Sequence, residues 1–297
     1  MKEVVLISGK GGTGKTSLAG AFASLSGGAV LADCDVDTPN LAIILEPFLL
    51  QRQDFLGGLS VSIDPDLCNG CGLCKDLCRF GAISLARSQS TLNLPVFKVD
   101  PLACEGCGVC AYFCPTGAVW IQGNQAIGEW FRATTRFGPM IHARLKPGKE
   151  NSGKLVTLVR IQARKTALEL GYNLILVDGP PGIGCPVIAS ITGSDIALVI
   201  TEPTISGFQD LSRALRLTSH FGIKTMMLIN KWDLNPEISN RLEEYALKNQ
   251  VTLAGRISYD ETVTRAQMSK KTIVEFQTNG IVGEISRAWE LVSKAIQ

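Results

Sequence analysis

Two sets of residues in this 297-residue sequence have the types and spacing to do chemistry. The first is Gly9-Lys10-Gly11-Gly12-Thr13-Gly14-Lys15-Thr16-Ser17, which fits G-x-x-x-x-G-K-[ST]. Glycines in such a loop let backbone N–H groups turn inward around phosphate oxygens, and a following helix N-terminus adds a favourable dipole. Lys15 would neutralise the outer phosphates and Thr16 would ligate Mg²⁺. The second set is eight of the ten cysteines, in two runs of equal spacing: Cys68-x2-Cys71-x2-Cys74-x3-Cys78 and Cys104-x2-Cys107-x2-Cys110-x3-Cys114-Pro115. Thiolates are soft ligands for iron, and in runs of this spacing the fourth cysteine ligates the other run's [4Fe–4S] cluster. One cluster would use Cys68, Cys71, Cys74 and Cys114; the other would use Cys78, Cys104, Cys107 and Cys110. Zinc, the alternative metal, usually takes its ligands in separated pairs. Gly70, Gly72, Gly106 and Gly108 leave room for N–H···S bonds. Arg79 follows Cys78 where Pro115 follows Cys114, so a positive charge is expected to raise one cluster's potential above the other's.

The elements that must position these groups follow from hydrophobic pattern. Val4–Ser8 is a short apolar run ending in the glycines, read as a buried parallel strand. A helix is expected over 16–25 and a second strand over 29–32, ending at Asp33. Further core strands are expected at 174–177, 196–201 and 225–230, with helices at 206–221 and 236–249. Apolar positions 281, 282, 285, 288, 289, 292 and 296 make one helical face. Between about 61 and 122 the chain is short segments, glycines and cysteines. The expected fold is α/β: a doubly wound, mostly parallel sheet over 1–60 and 124–297, interrupted by an α+β insert over 61–123.

Composition narrows the class. Apolar residues at 45% and charged residues at 19% exclude wholesale disorder. No run of 18 or more apolar residues exists, and the start lacks the h-region of a signal peptide, so a cytoplasmic protein is expected. Clustered cysteines then point to metal rather than disulfides. Net charge is +2, yet Arg132, Arg136, Arg144, Lys146, Lys149, Lys154, Arg160, Arg164 and Lys165 face only one acid, Glu150, within their segment. That excess is read as a solvated face, a dock for an acidic redox partner, or a nonspecific DNA surface.

Lys10 gives the loop a second, early lysine, and KGGTGKT resembles the deviant Walker A of the MinD/ParA/Mrp and nitrogenase iron protein group. The resemblance implies ATP and Mg²⁺ as ligands, Gly9 to Ser17 as the nucleotide loop, and a homodimer or a heterodimer with a related ATPase. In that ATP sandwich, Lys10 would act on the partner's nucleotide. Asp33-Cys34-Asp35-Val36-Asp37-Thr38-Pro39-Asn40 resembles the group's switch I, which implies that Asp35 positions the attacking water and Asn40 holds the switch near the phosphate. Asp178-Gly179-Pro180-Pro181-Gly182 resembles its Walker B and switch II, with Asp178 holding Mg²⁺ through water. Asn230-Lys231-Trp232-Asp233 resembles both the group's adenine-contact stretch and the N-K-x-D guanine reader. With the cysteine runs included, the whole chain resembles MinD-superfamily P-loop ATPases carrying an inserted bacterial ferredoxin domain with two [4Fe–4S] clusters.

That resemblance implies a slow ATPase whose dimer switch is coupled to electron transfer through the clusters. Two alternatives stand beside it: a MinD/ParA-type positioning or assembly ATPase with redox-sensing or structural clusters, and an iron–sulfur cluster carrier ATPase. An unidentified redox or assembly partner is expected, DNA less so, and no stable membrane insertion. The stretch from Arg136-Phe137-Gly138-Pro139 to Gly153-Lys154-Leu155 is typical of the same group, without an assigned role. Cys185, seven residues after Asp178, is read as a small core cysteine, and His142 and His220 have no ligand spacing.

Overall fold

The computed structural model describes residues 1–89, 94–101, 103–104, 106–148 and 153–297. Lys149 and Glu150 of the basic segment lie outside the described residues. The chain divides into a larger unit, Met1–Gln53, Trp130–Arg144 and Asn151–Gln297, and a smaller one, Asp54–Glu129 and Leu145–Glu150. The smaller unit is thus wider at both ends than the expected 61–123.

In chain order the first elements are β1 (Lys2–Ser8), α1 (Lys15–Leu25), β2 (Val30–Asp33), α2 (Leu41–Leu45) and β3 (Phe48–Ile63). Then come α3 (Leu73–Leu77), β4 (Ile83–Gln89), β5 (Pro95–Val99), α4 (Val109–Tyr112), β6 (Val119–Thr135) and β7 (Gly138–Leu145). The chain continues with α5 (Lys154–Leu170), β8 (Leu174–Pro181), α6 (Cys185–Ile191), β9 (Ile196–Thr201) and α7 (Ile205–His220). It ends with β10 (Thr225–Asn230), α8 (Pro236–Lys248), β11 (Thr252–Ile257), α9 (Thr262–Met268), α10 (Ile273–Phe276) and α11 (Ile281–Ala295).

The larger unit is built on a sheet in the order β11-β10-β9-β1-β8-β2-β7, followed by β6 and β3, whose residue ranges run across the division. The pairs that β1, β2 and β10 make with their neighbours are parallel. β1 is central, and Val4 to Ile7 are wholly buried, which is why they form a continuous apolar run rather than an alternating one. On one face α1 and α11 pack together, Phe22 against Trp289 with ring centroids 5.2 Å apart. Ile281, Val282, Ile285, Ala288, Trp289 and Val292 of α11 are buried in this core. Among the described residues no helix is long and apolar enough to cross a membrane.

β7, β11 and α5 do not stand out in the hydrophobic pattern. β7 lies inside the basic segment, and its charges mask the buried Met140, Ile141 and Ala143. Several of the segment's cations find counter-charges outside it. Arg132 pairs with Glu169 at 3.0 Å, Arg136 with Glu275 at 2.5 Å, and both Arg160 and Arg164 with buried Glu3 at 2.6 Å. A linear charge count therefore overstates the cationic surface. His142 stacks on Phe131 with centroids 4.7 Å apart. Burial, helped by Arg144, lowers its pKa to about 4.

In the smaller unit β4 and β5 form an antiparallel pair, and two short helices, α3 and α4, lie within the cysteine runs. Gly72 (φ 79°) and Gly108 (φ 78°) cap them in the same left-handed conformation, so the sequence repeat is also a backbone repeat. Val61, Cys74, Ile83, Phe97 and Val119 are buried at its centre, with Cys68, Cys78, Cys104, Cys110 and Cys114 packed against them.

Candidate functional site

β1 ends at Ser8, whose hydroxyl donates to the Lys10 carbonyl at 2.8 Å and starts the glycine loop. The loop runs into α1 at Lys15 and borders a cavity of about 700 Å³ in the larger unit. Gly11, Gly12, Thr13, Gly14, Lys15, Thr16 and Ser17 line it, joined by Asp35, Thr38, Asn40 and Asn230. Gly9 does not line it: a Cβ there would come within 2.1 Å of the Asp210 Cβ, so this glycine admits α7. Lys10 does not line it either. Its ammonium is 2.6 Å from Glu202 and donates to Ser206 at 3.1 Å.

β2 and β8 are neighbours in register, so Asp33, at the end of β2, sits beside Asp178 within β8, both fully buried. Lys15 Nζ donates to Asp178 Oδ1 at 2.6 Å and is 3.9 Å from Asp35. Burial alone would lower the Lys15 pKa, but the Asp178, Asp35 and Asp33 charges outweigh it and raise it, so the ammonium stays charged. Burial, with the adjacent Asp178 charge, raises the Asp33 carboxyl well above its ordinary value. Asp35 is also raised, by burial first, against the pull of Lys15.

In the sequence Asp33 ends a strand and opens the switch I-like stretch without a role of its own, yet it shapes the loop after β2. Its carboxylate accepts the N–H groups of Asp35 at 3.1 Å and Leu41 at 3.2 Å. Thr38 donates its hydroxyl to Asp35 at 3.2 Å, and Asn40 is the residue before α2. Asn230 donates to the Thr13 carbonyl at 2.8 Å, and Lys231 to the Gly12 carbonyl at 3.1 Å, fastening the end of β10 to the loop. Asp233 accepts the Tyr259 N–H at 2.7 Å. Glu202, which no local pattern marks, also lies 3.5 Å from Lys231.

Mg²⁺ can be tested against this donor set. Asp178 Oδ2 and Thr13 Oγ1 are buried side-chain oxygens without hydrogen-bond partners. Thr16 lines the cavity, and hard oxygen donors suit this cation. The residues fit the ion.

In the smaller unit the eight cysteines of the two runs are free thiols that divide between two small cavities. Cys68, Cys71, Cys74 and Cys114 line one; Cys78, Cys104, Cys107 and Cys110 line the other. Each quartet thus takes three thiols from one run and one from the other. Cys71 and Cys107, the second thiol of each run, are exposed. Burial raises the Cys74 and Cys110 thiols. At Cys114 burial is outweighed by the amides of Val119, Thr116 and Ala118 and by the Thr116 hydroxyl, which lower its pKa. Arg79 is exposed, so water screens the charge expected to separate the clusters. Sets of four soft thiolates around a small cavity suit an iron–sulfur cluster.

A relative covers most of the chain. The uncharacterized protein MJ0578 of Methanocaldococcus jannaschii is 35% identical over 236 residues, which span 78% of this chain and 79% of that one. The chain belongs to the MJ0578 family. Within this family member, residues 67–118 match the 4Fe-4S dicluster domain. Its fold is that of the MinD/ParA proteins. The cell division ATPase MinD of Pyrococcus furiosus superposes with a TM-score of 0.55 at 16% identity, over 99% of this chain and 98% of that one. The septum site-determining protein MinD of Pyrococcus horikoshii, solved with Mg-ADP, gives 0.55 at 16% identity, over 99% and 96%. The MJ0578-family chain therefore combines a MinD/ParA-like P-loop fold with an iron–sulfur domain.

Cys185 is exposed, not a core cysteine. The buried face of α6 is Val187, Ser190 and Ile191, and a residue two positions before Val187 points about 200° around the helix from it. Cys34, by contrast, is fully buried, and its thiol is raised by that burial.

Proposed function

We propose that this chain binds and hydrolyses ATP, and that its nucleotide state controls electron transfer through two [4Fe–4S] clusters by way of an ATP-sandwich dimer. The observation that carries the reading is the convergence of Lys15, Asp35 and the glycine loop on one cavity, with Asp178 buried behind Lys15. Thr16 and Asp178 would hold Mg²⁺, the latter through water, and the ion supplies charge neutralisation to the phosphates. Lys15 stays protonated and binds the outer phosphates in exchange for Asp178. Asp35, its pKa raised by burial, orients the attacking water and is a better proton acceptor than a solvated carboxylate. Asp233 is engaged by the Tyr259 amide rather than free to read a guanine edge, which supports adenine. Lys10 must leave Glu202 and Ser206 to reach a partner's nucleotide, so dimer closure exchanges one set of contacts for another. The eight cysteines would hold the clusters in the two quartets that line separate cavities.

The test is an EPR redox titration of anaerobically purified protein, with and without Mg²⁺ and a non-hydrolysable ATP analogue. A nucleotide-dependent shift of about 30 mV or more per one-electron cluster, roughly 0.7 kcal/mol of coupling, is expected. Two reducible clusters with unmoved potentials would favour a positioning ATPase with structural clusters. Absence of any reducible iron–sulfur signal would overturn the reading of the cysteines.

A further inference from the structure

The Arg136-Phe137-Gly138-Pro139 stretch takes no part in the nucleotide cavity or the cysteine quartets. In the fold it is the tight return from β6 to β7. Gly138 has φ +136°, and a Cβ there would come within 2.2 Å of the Ala29 carbonyl oxygen. Glycine therefore lets the turn seat against the start of β2, where the Ala29 N–H donates to the Phe137 carbonyl at 3.4 Å.

The seated turn aims Arg136 at three segments of the larger unit. Its Nη1 donates to the Leu45 carbonyl at 2.7 Å, and its Nη2 to the Ile44 carbonyl at 3.1 Å. These are the last carbonyls of α2, groups that a helix end leaves without intrahelical partners and that a cation complements. Nη2 also reaches the Lys270 carbonyl at 3.2 Å. Nε and Nη2 grip Glu275 at 2.5 and 2.8 Å in a forked pair that only a guanidinium supplies. Glu275 is itself fixed, accepting the Thr272 N–H at 2.8 Å and hydroxyl at 2.9 Å.

The position of α2 gives this grip its meaning. α2 ends the loop that carries Asp35, Thr38 and Asn40, and its Ile43 and Ile44 line the nucleotide cavity. The chain leaves α2 through Glu46 and Pro47 straight into β3, the strand that leads to the cysteine unit. Arg136 follows the last residue of β6, the strand that returns from it. One side chain thus ties the outgoing and returning ends of the insert to the helix next to the nucleotide loop. We propose that Arg136 is a positioning residue that passes nucleotide-driven movement of residues 34–45 to both strands carrying the iron–sulfur unit. This inference rests on the reading of the cavity as an ATP site.

The test is hydrogen–deuterium exchange on the full-length, cluster-loaded chain, with and without Mg²⁺ and a non-hydrolysable ATP analogue. In the wild type the analogue should slow exchange about tenfold in residues 34–45 and also in 46–53 and 130–138. Arg136→Ala and Glu275→Gln should each keep the response in 34–45 and lose it in 46–53 and 130–138. Arg136→Lys, which keeps the charge without the fork, should restore less than half of it. Unchanged exchange in β1 and β8 verifies folding of each variant. A response in 46–53 and 130–138 that survives in both variants overturns the inference. So does a wild type in which 34–45 responds and the other two segments do not. A wild type in which 34–45 itself ignores the analogue sinks the ATP reading and this inference together.

Discussion

The two compact units of this chain are held together by different means. In the larger unit, aliphatic and aromatic side chains from β1, α1, β2, α2 and α11 interlock into one buried core, with Phe22 against Trp289. In the smaller unit the buried centre is Val61, Cys74, Ile83, Phe97 and Val119, and most of what packs against it is cysteine. Apolar burial of this small extent rarely holds a unit of such size, so metal–thiolate bonds are expected to supply much of its folding free energy. The larger unit's core is complete without any ligand. In the smaller one, cluster binding and folding are expected to be coupled.

The largest expected effect breaks that comparison directly. Stripping iron by chelation under oxidising conditions, or the Cys74→Ser/Cys110→Ser pair, should remove exchange protection across the smaller unit. The larger unit's unfolding free energy should move by less than about 1 kcal/mol. A smaller unit that stays protected without iron would mean that its apolar centre suffices.

Asp35→Ala should lower ATP turnover about a hundredfold or more while nucleotide affinity changes little. Loss of binding in an equilibrium titration would instead make Asp35 a binding residue.

His142 gives the larger unit a pH sensitivity of its own. Its folded pKa is about 4, against an ordinary value of 6.5, because burial disfavours the imidazolium. Between those values the unfolded chain binds more protons, so stability is complete above pH 6.5 and falls as pH drops toward 4, by up to about 3 kcal/mol. Denaturant titrations of His142→Phe should show this slope removed. An unchanged slope would remove His142 as its source.

The smallest effect distinguishes the two cysteine quartets from each other. The Cys114 sulfur has the Thr116 hydroxyl 3.7 Å away in addition to backbone amides. Hydrogen bonds to cluster sulfurs favour the reduced state. Thr116→Val should therefore lower one midpoint by about 20–60 mV and leave the other in place. Equal movement of both, or of neither, would remove Thr116 as the source of asymmetry.

Much of the fold could be read along the chain because its signals are local. Val4–Ser8, 196–201 and 225–230 are apolar runs, and the structure places strands at all three. The α11 face follows a helical period, and it is buried in the core. β7 escaped because buried and charged residues are mixed along it, and the basic segment looked unpaired because its acids lie elsewhere in the sequence. Cys185 was misplaced because exposure depends on which face of α6 meets the sheet, and a lone cysteine carries no period.

What the sequence determined by itself is the chemistry written in short spacings. The glycine loop with its lysines and the two cysteine runs are each closed within a few residues, because a phosphate or a cluster is itself only a few residues wide. The tertiary structure alone decided which groups those residues meet. Arg136 reaches Glu275 across 139 positions, Lys10 reaches Ser206 across 196, and Arg160 reaches Glu3 across 157. Such pairs leave no periodic trace, since each depends on strands and helices brought together by burial of the core rather than by neighbouring sequence.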